Sequence, residues 1–386
     1  MRFLLLIALF SITSTFAQYT TPTKLYKGEL NFTDDINFEN VEQAVKRQLK
    51  VYRTRYNLTK TVQLGDRTVT FQKLKNTLLT FQKLALQYRD CTNAGTIKSC
   101  QQIFNAQIKQ QFEVYTPAII EGDPRHNDAK PALYTVYYSP DFDGVLPADK
   151  TEAFNNPIFK RPEDLELRKS TRAAIDFDDA FEGMGLEIFY VKQTLYDLYL
   201  LHIEGGGRVK VKQADGSIKY YYLSYNGSNK RSFNYIHKYM KERGYLTDDL
   251  SMATQKKFLA DNPDKAREIF ATCPSYIYFK SSKEEPVGID DIPLTERRSM
   301  ALDRKYYKFS GLLGFVQTKR PINETTTEKS NKRPTKDFSR FFIHQDTGGG
   351  IKGKARADLY AGFGDDAEFL ANNFKYQGTM YFLLLK

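Results

Sequence analysis

Tryptophan is absent from this 386-residue chain, and histidine and cysteine are scarce, at four and three residues. No paired Cys or His stands at ligand spacing, so a structural zinc site has no support, and neither a metal nor a cofactor is expected. The apolar run at the N-terminus, Phe3 to Phe10, falls far below the roughly 20 residues that a membrane-spanning helix needs. No internal repeat is present, so repeat architectures are excluded. Hydrophobic residues make up 41% and charged residues 27%, which excludes a disordered or collagen-like chain. Acidic charge is in deficit: 46 Asp and Glu face 57 Lys and Arg, a net +11. That balance favours anionic partners without choosing among nucleic acid, acidic lipid and acidic polysaccharide.

What is present at the N-terminus narrows the choice. Arg2, the apolar run and the small-residue site Thr15-Phe16-Ala17 form a secretory signal, with cleavage expected after Ala17. No Cys follows that site, so lipid attachment is not expected there; the mature chain is expected to be a soluble periplasmic protein, and nucleic acid is not expected as a partner. Cys91 and Cys100 lie nine positions apart between two helical-looking segments, which suits a disulfide in an oxidising compartment. Cys273 reads as a small buried apolar residue.

Periodicity divides the rest. Helical stripes run over Phe38 to Tyr56 (Val41, Val45, Leu49, Tyr52), over Val69 to Tyr88 (Leu74, Leu78, Phe81, Leu84) and over Thr96 to Gln111. From Phe112 to Tyr225 short apolar and aromatic runs between Gly, Pro, Asn and Asp predict strands, including Tyr134 to Tyr138, Leu186 to Val191, Leu198 to Ile203 and Tyr220 to Tyr225. Helices return over 233–272 and strands over the last hundred residues, with an exposed polar loop at Lys319 to Lys336. The alternation predicts an α+β, mainly β, protein in which one β domain is inserted into another: a signal over 1–17, an N-terminal helical part over 18–117, an inserted β domain over 118–232, and the remainder over 233–386.

The densest chemical signal is Gln345-Asp346-Thr347-Gly348-Gly349-Gly350-Ile351-Lys352-Gly353. Asp346 ends an apolar strand, and consecutive glycines let backbone N–H groups approach a bulky ligand. A carboxyl group partly desolvated at such a mouth gains the raised pKa of a general acid. A calcium-binding or structural turn capped by Asp is the plainer reading of the same residues. Asp-Thr-Gly is also an aspartic-protease signature, but that chemistry needs two such carboxylates and the chain carries one copy. Asp303 and Asp358 frame the region, and His344, two residues before Asp346, is expected on the same face of the strand.

An ordered set of motifs over residues 112–386 resembles the membrane-bound lytic murein transglycosylase A family, with a C-terminal "3D" (three-aspartate) domain over about 280–386. Tyr115-Thr116-Pro117 stands for its Tyr-Tyr-x-Pro segment, and Ile203-Glu204-Gly205-Gly206-Gly207-Arg208 for its Ile-Gln-Gly-Ser-Gly-Arg stretch. Tyr225 to Phe233, Asn262-Pro263, Pro274 to Phe279, Pro293-Leu294-Thr295 to Asp303, Asp346 to Gly353 and Asp358-Leu359-Tyr360 follow in order. Glu204 replaces the family's Gln, Gly206 its Ser, and the family's lipoprotein Cys is missing.

The resemblance implies a double-psi β-barrel, a second barrel-like domain and a groove between them. It implies cleavage of the β-1,4 bond from N-acetylmuramic acid to N-acetylglucosamine without water, leaving a 1,6-anhydro end. Asp346 would act as acid and then base, with Asp358 supporting and Asp303 supporting or structural. Tyr115, Thr116, Glu204, Gly205, Gly349 and Lys352 would contact substrate. The expected partners are peptidoglycan glycan strands, with other cell-wall enzymes as further candidates, and the chain is expected to be a monomer. A polysaccharide hydrolase on a related barrel and a non-catalytic murein-binding scaffold are the alternatives.

Overall fold

The computed structural model describes residues 19–21, 23–117, 131–322 and 333–386. The expected secretory segment, residues 1–17, lies outside the described residues, as does most of the expected polar loop. Six strands close into a ring. In spatial order they are Leu313–Pro321, Thr335–Thr347, Ser299–Leu302, Arg356–Tyr360, Ala132–Tyr137 and Lys375–Leu385, and the last pairs back onto the first. Two pairings are parallel, Ser299–Leu302 with Thr335–Thr347 and Arg356–Tyr360 with Ala132–Tyr137; the others are antiparallel. Closure leaves the ring without unpaired edges. Strands Phe112–Pro117 and Thr23–Leu25 extend the sheet outward from Lys375–Leu385.

Three N-terminal helices, Val41–Thr54, Phe71–Ala94 and Ile97–Gln111, cover part of the ring where the apolar stripes predict them. Thr70 and Thr96 start the second and third, each accepting a backbone N–H three residues on, from Lys73 at 3.1 Å and Ser99 at 3.4 Å. They meet the barrel through rings: Phe81 of the second helix lies 4.6 Å from Phe341, and Phe38, in the turn before the first helix, 5.9 Å. A disulfide joins Cys91 to Cys100 with the Cα atoms 5.7 Å apart. Closing so short a loop stabilises the fold by about 2–3 kcal/mol.

Arg298, which leads into the strand Ser299–Leu302, locks this seam. Its guanidinium donates to both oxygens of Asp34, at 2.6 and 2.8 Å, and to the carbonyls of Glu39 and Phe341, at 2.6 and 2.9 Å.

A second sheet takes the order Asn156–Phe159, Glu187–Val191, Asp141–Val145, Gly206–Lys212, Ile218–Ser228, Ile277–Ser282. Phe142, Val191, Val209, Val211 and Leu223 line its core with Leu198 and Leu201. The chain leaves the barrel after Ala132–Tyr137 and returns at Ser299–Leu302.

Two expectations need correction. The run Leu198 to Ile203, expected as a strand, lies in the helix Leu195–Glu204. Thr194 and Asp197 form a reciprocal capping box at its start, and Gly205 turns left-handed at its end. The run is apolar all round because the helix is buried between two clusters, Leu198 and Leu201 on one side, Tyr196, Tyr199 and Leu200 on the other. Continuous apolarity carries no period, so only the caps distinguish helix from strand.

The second unit also reaches past residue 232. Helices Ile236–Glu242, Met252–Asp261 and Ala266–Ala271 contribute Ile236, Met240, Leu259, Ile269 and Phe270 to the cluster around Tyr199, and Ile277–Ser282 pairs with Ile218–Ser228. A change of local period does not reveal which sheet a later strand will join.

Candidate functional site

Register builds the site. Ala301, in the short strand Ser299–Leu302, pairs on one side with Asp346 and on the other with Asp358. Asp358 pairs in turn with Thr135, and Tyr360 with Tyr137. Two acids from consecutive strands thus flank one small residue, whose methyl group leaves space between them. Along these strands Ala357, Leu359, Tyr134 and Val136 join the barrel core, so Asp358, Tyr360, Thr135 and Tyr137 project from the opposite face.

A bulge puts Asp346 on that face. Met300 pairs with His344 and Ala301 with Asp346, so Gln345 is an extra residue between adjacent rungs. The insertion reverses the alternation, and His344, expected beside Asp346, points away from it. It is 0% exposed, 6.1 Å from the Tyr307 ring, and burial pushes its pKa down to about 4. Gln345 serves the seam: its amide accepts from the Ser299 hydroxyl at 2.7 Å and donates to the Ala44 carbonyl at 3.0 Å.

Asp346 itself is half-buried. Its Oδ2 accepts the Tyr137 hydroxyl at 2.5 Å and its Oδ1 the Thr347 N–H at 2.8 Å. Burial raises its pKa to about 6; these two donors oppose the rise, and the Asp358 charge adds to it. The turn at Gly288 presses on the same carboxyl group, since a Cβ there would lie 2.9 Å from Asp346 Oδ1 and 2.3 Å from the Gln345 carbonyl. Only glycine fits.

Asp358 accepts the Thr135 hydroxyl at 2.6 Å, and Arg356 donates to that same Thr135 oxygen at 2.6 Å. Burial raises the Asp358 pKa, with Thr135 and Arg356 pulling the other way.

The remaining sequence candidates separate. Asp303 is buried and its carboxylate holds two backbone N–H groups, Lys305 at 2.9 Å and Gly353 at 2.7 Å, so it anchors the glycine-rich loop after Asp346. Gly349 and Lys352 are exposed on that loop. Tyr115 requires correction: it is 0% exposed, in the barrel core, with its hydroxyl on Glu113 at 3.0 Å, and it offers no surface to a sugar. Thr116 is half-buried opposite Lys24 on the outermost strand, apart from the Asp346 row. Phe112 and Tyr115, three positions apart, are the two buried residues of their strand, so simple alternation does not reveal that Tyr115 turns inward.

Glu204, from the second unit, does come near Asp358; Gly205 is the left-handed residue that ends its helix. Glu204 lies close enough to Asp358 to feel its charge; burial first, and that charge second, push its pKa up to about 8. Nearby, Arg208 forks onto Asp141 at 2.6 and 2.8 Å and lies over the rings of Phe363, at 4.2 Å, and Tyr220, at 4.5 Å. Phe363 follows the strand of Asp358, so this contact joins the two sheets.

Tyr137, Thr135, Arg356 and Gly288 were not legible as site residues. The alternation within Tyr134 to Tyr138 was the one available signal for the first two. Among the described residues, no group of three His, Cys, Asp or Glu is placed to hold a metal ion, and no helix is long and apolar enough to cross a membrane.

The sequence matches two domain families, the MltA specific insert domain over residues 133–280 and the 3D domain over residues 298–384. A curated relative, membrane-bound lytic murein transglycosylase A of Vibrio cholerae, is 29% identical over 280 residues, 72% of this chain and 70% of that protein. The fold is similar to a crystal structure of E. coli MltA with bound chitohexaose, with a TM-score of 0.68, 21% identity and 94% of each chain covered. It is also similar to MltA from Neisseria gonorrhoeae, with a TM-score of 0.65, 23% identity, and 90% of this chain and 88% of that one covered.

Proposed function

The chain belongs to the MltA-type family with a C-terminal 3D domain, and from that premise we propose that it is a lytic transglycosylase of peptidoglycan. It cleaves the β-1,4 bond between N-acetylmuramic acid and N-acetylglucosamine, and the C6 hydroxyl of the muramyl ring closes on C1 to leave a 1,6-anhydro end. The observation that carries this reading is Asp346: a half-buried carboxyl group, poised near pH 6, held by a tyrosine and flanked by a second acid.

One carboxyl group serves both halves of the reaction. Protonated Asp346 donates to the glycosidic oxygen as that bond breaks; as a carboxylate it accepts the proton of the C6 hydroxyl. A pKa near the working pH lets it do both. Burial and Asp358 favour the acid form, and the Tyr137 hydroxyl and Thr347 N–H favour the carboxylate. The attacking hydroxyl is already part of the substrate, so no second carboxylate is needed to activate water on the far face, unlike an ordinary glycosidase. Asp358, held by Thr135, supports Asp346 electrostatically. Asp303 positions the loop that carries Gly349 and Lys352, which meet glycan or its peptide stem at the groove rim.

Further assignments complete the reading. The six-stranded ring is of the double-psi class, the second sheet with its helices forms the inserted domain, and the glycan lies between them. The protein is a monomer, exported by its N-terminal signal to the periplasm, where its positive charge suits the acidic stems of murein. Mass spectrometry of purified sacculi digested by the protein tests the function. Anhydro-muramyl ends are expected; products heavier by one water would make it a hydrolase, and unchanged sacculi a binding scaffold.

A further inference from the structure

The turn that presses on Asp346 also forms one wall of a polar cavity that the mechanism does not use. The cavity has a volume of about 480 Å³, and Arg55, Lys60, Arg304 and Lys308 line it with a single carboxylate, Asp290. That carboxylate is engaged: its Oδ2 accepts the Tyr56 hydroxyl at 2.5 Å and the Ser310 hydroxyl at 2.8 Å. Ser310 Oγ in turn accepts from the Gln48 amide at 2.8 Å, and Gln48 Oε1 accepts from the Gln345 amide at 3.4 Å. Hydrogen bonds therefore run from the cavity wall to the bulge beside Asp346. Asp290 and Asp291 are both left-handed, at φ 60° and 54°, a costly backbone state for two successive side chains. The bonds on Asp290 and the ion pair of Asp291 with Arg55 hold it. Lys60, Arg304 and Lys308 are exposed and form no ion pair among the described residues.

We propose that this cavity is a subsite for the acidic peptide stem of peptidoglycan, in which Lys60, Arg304 and Lys308 bind the carboxylates of the stem. The proposal rests on the transglycosylase reading and deepens it, by naming the form of substrate preferred: strands that still carry their stems. Asn57 adds a neutral donor at the cavity wall. Its Oδ1 accepts the Thr59 N–H at 3.0 Å and the Thr59 hydroxyl at 2.8 Å, which leaves the amide NH₂ for a ligand.

Position and charge both support the assignment. The cavity adjoins the two supports of Asp346. Gly288 packs against that carboxyl group, and Ile289 and Asp290, the next two residues, line the cavity. Two Cα steps separate Asp290 from Gly288, a distance of at most about 8 Å. Arg304 follows Asp303, whose carboxylate holds the Gly353 N–H of the glycine-rich loop. A peptide stem begins on the muramyl ring that Asp346 acts on, and four extended residues span up to about 14 Å. The stem is therefore long enough to pass the turn and enter the cavity. It is also where peptidoglycan concentrates its negative charge, whereas uncharged sugar hydroxyls gain little from three unpaired cations. A wall fixed by hydrogen bonds keeps those cations gathered before the stem arrives, which lowers the ordering cost of binding.

The test compares kcat/KM for anhydro-muramyl release from stem-bearing strands with that from strands stripped of their stems by an amidase. The full chain is measured beside Arg304→Ala with Lys308→Ala, and beside a control, Lys83→Ala with Lys98→Ala, which removes two exposed cations elsewhere. In the cavity variant the stem-bearing to stem-free ratio should fall by about fivefold or more, through KM, as two screened charge contacts are lost. In the control it should stay within about twofold of wild type. An unchanged ratio in the cavity variant would overturn the proposal. Equal falls in both variants would also overturn it, because attraction by net charge alone would then suffice. If wild type releases no anhydro ends, the functional reading fails separately, and calorimetry with the isolated stem tetrapeptide tests the cavity alone. Wild type should bind the tetrapeptide, less tightly as salt rises, and the cavity variant should bind it at least about fivefold more weakly. Equal binding by the two proteins, or none by wild type, overturns the proposal. Inorganic phosphate bound as tightly as the tetrapeptide would make the cavity a site for free anions and overturn the stem assignment.

Discussion

Two enclosed aspartates, Asp34 at the seam between helices and barrel and Asp346 in the site, have opposite electrostatics. Burial alone would raise both. At the seam the Arg298 guanidinium, with Arg340 beyond it, overcomes burial and holds Asp34 below its ordinary value. At the site the partners of Asp346 are a neutral hydroxyl and a backbone N–H, and the nearest charge is another carboxylate, so its pKa rises to about 6. Burial therefore does not by itself make an acid reactive. A cation beside it makes the carboxylate permanent and structural; neutral donors and a neighbouring anion leave the proton exchangeable near neutral pH.

The sharpest way to break this contrast is Asp346→Asn, which keeps the shape and removes the exchangeable proton. Turnover should fall by about 10³–10⁴-fold, the upper part of the range for general acid–base catalysis, while glycan affinity is retained. More than a tenth of wild-type turnover in a folded variant would dismiss Asp346 as the acid. At the seam the loss should be of stability instead. Arg298→Ala leaves the Asp34 carboxylate enclosed without its cation and should cost about 3–5 kcal/mol in denaturant unfolding, with the chemistry intact in the molecules that remain folded. Because the Asp34 pKa is lowered on folding, its stabilisation is present above its unfolded value of 3.8 and lost as pH falls through the lower folded value. Arg298→Ala should erase that acid-side dependence.

Smaller changes sharpen the comparison. Tyr137→Phe removes a donor that favours the Asp346 carboxylate, so the pKa should rise further. The alkaline limb of the pH–rate profile, where Asp346 loses the proton it must donate, should move to higher pH, and turnover should drop by about tenfold, one hydrogen bond to a charged group. An unchanged limb would show that Tyr137 does not tune the acid. The smallest effect concerns stability at the site. A pKa raised from 3.8 to about 6 means that the folded state binds more protons than the unfolded one across that interval, so stability falls as pH rises through it. Asp346→Asn should be more stable than wild type at pH 7, by about 1 kcal/mol after allowing for partial exposure, and the gain should vanish near pH 4. Thermal melts at the two pH values measure it.

Local chemistry was enough for much of this protein. The apolar stripes of Val41–Thr54 and Phe71–Ala94, the Thr caps, the Cys91–Cys100 spacing and the glycine run after Asp346 are all properties of neighbouring residues. Each acts over one or two turns, so each can be read without knowing the fold.

Tertiary structure decided what those residues do. A single extra residue in a strand pairing turns His344 into the core and Asp346 out of it, and a bulge is a property of two strands that no single strand's alternation reveals. Ala301 brings Asp346 beside Asp358 only because two strands chose it as a common partner. Tyr115 and Tyr137 are both tyrosines on strands of the same sheet; the face each occupies buries one against Glu113 and gives the other to the acid. Side-chain identity follows from sequence, but the charge, burial and partners that set a carboxyl group's pKa come from residues far along the chain, and only folding brings them within range.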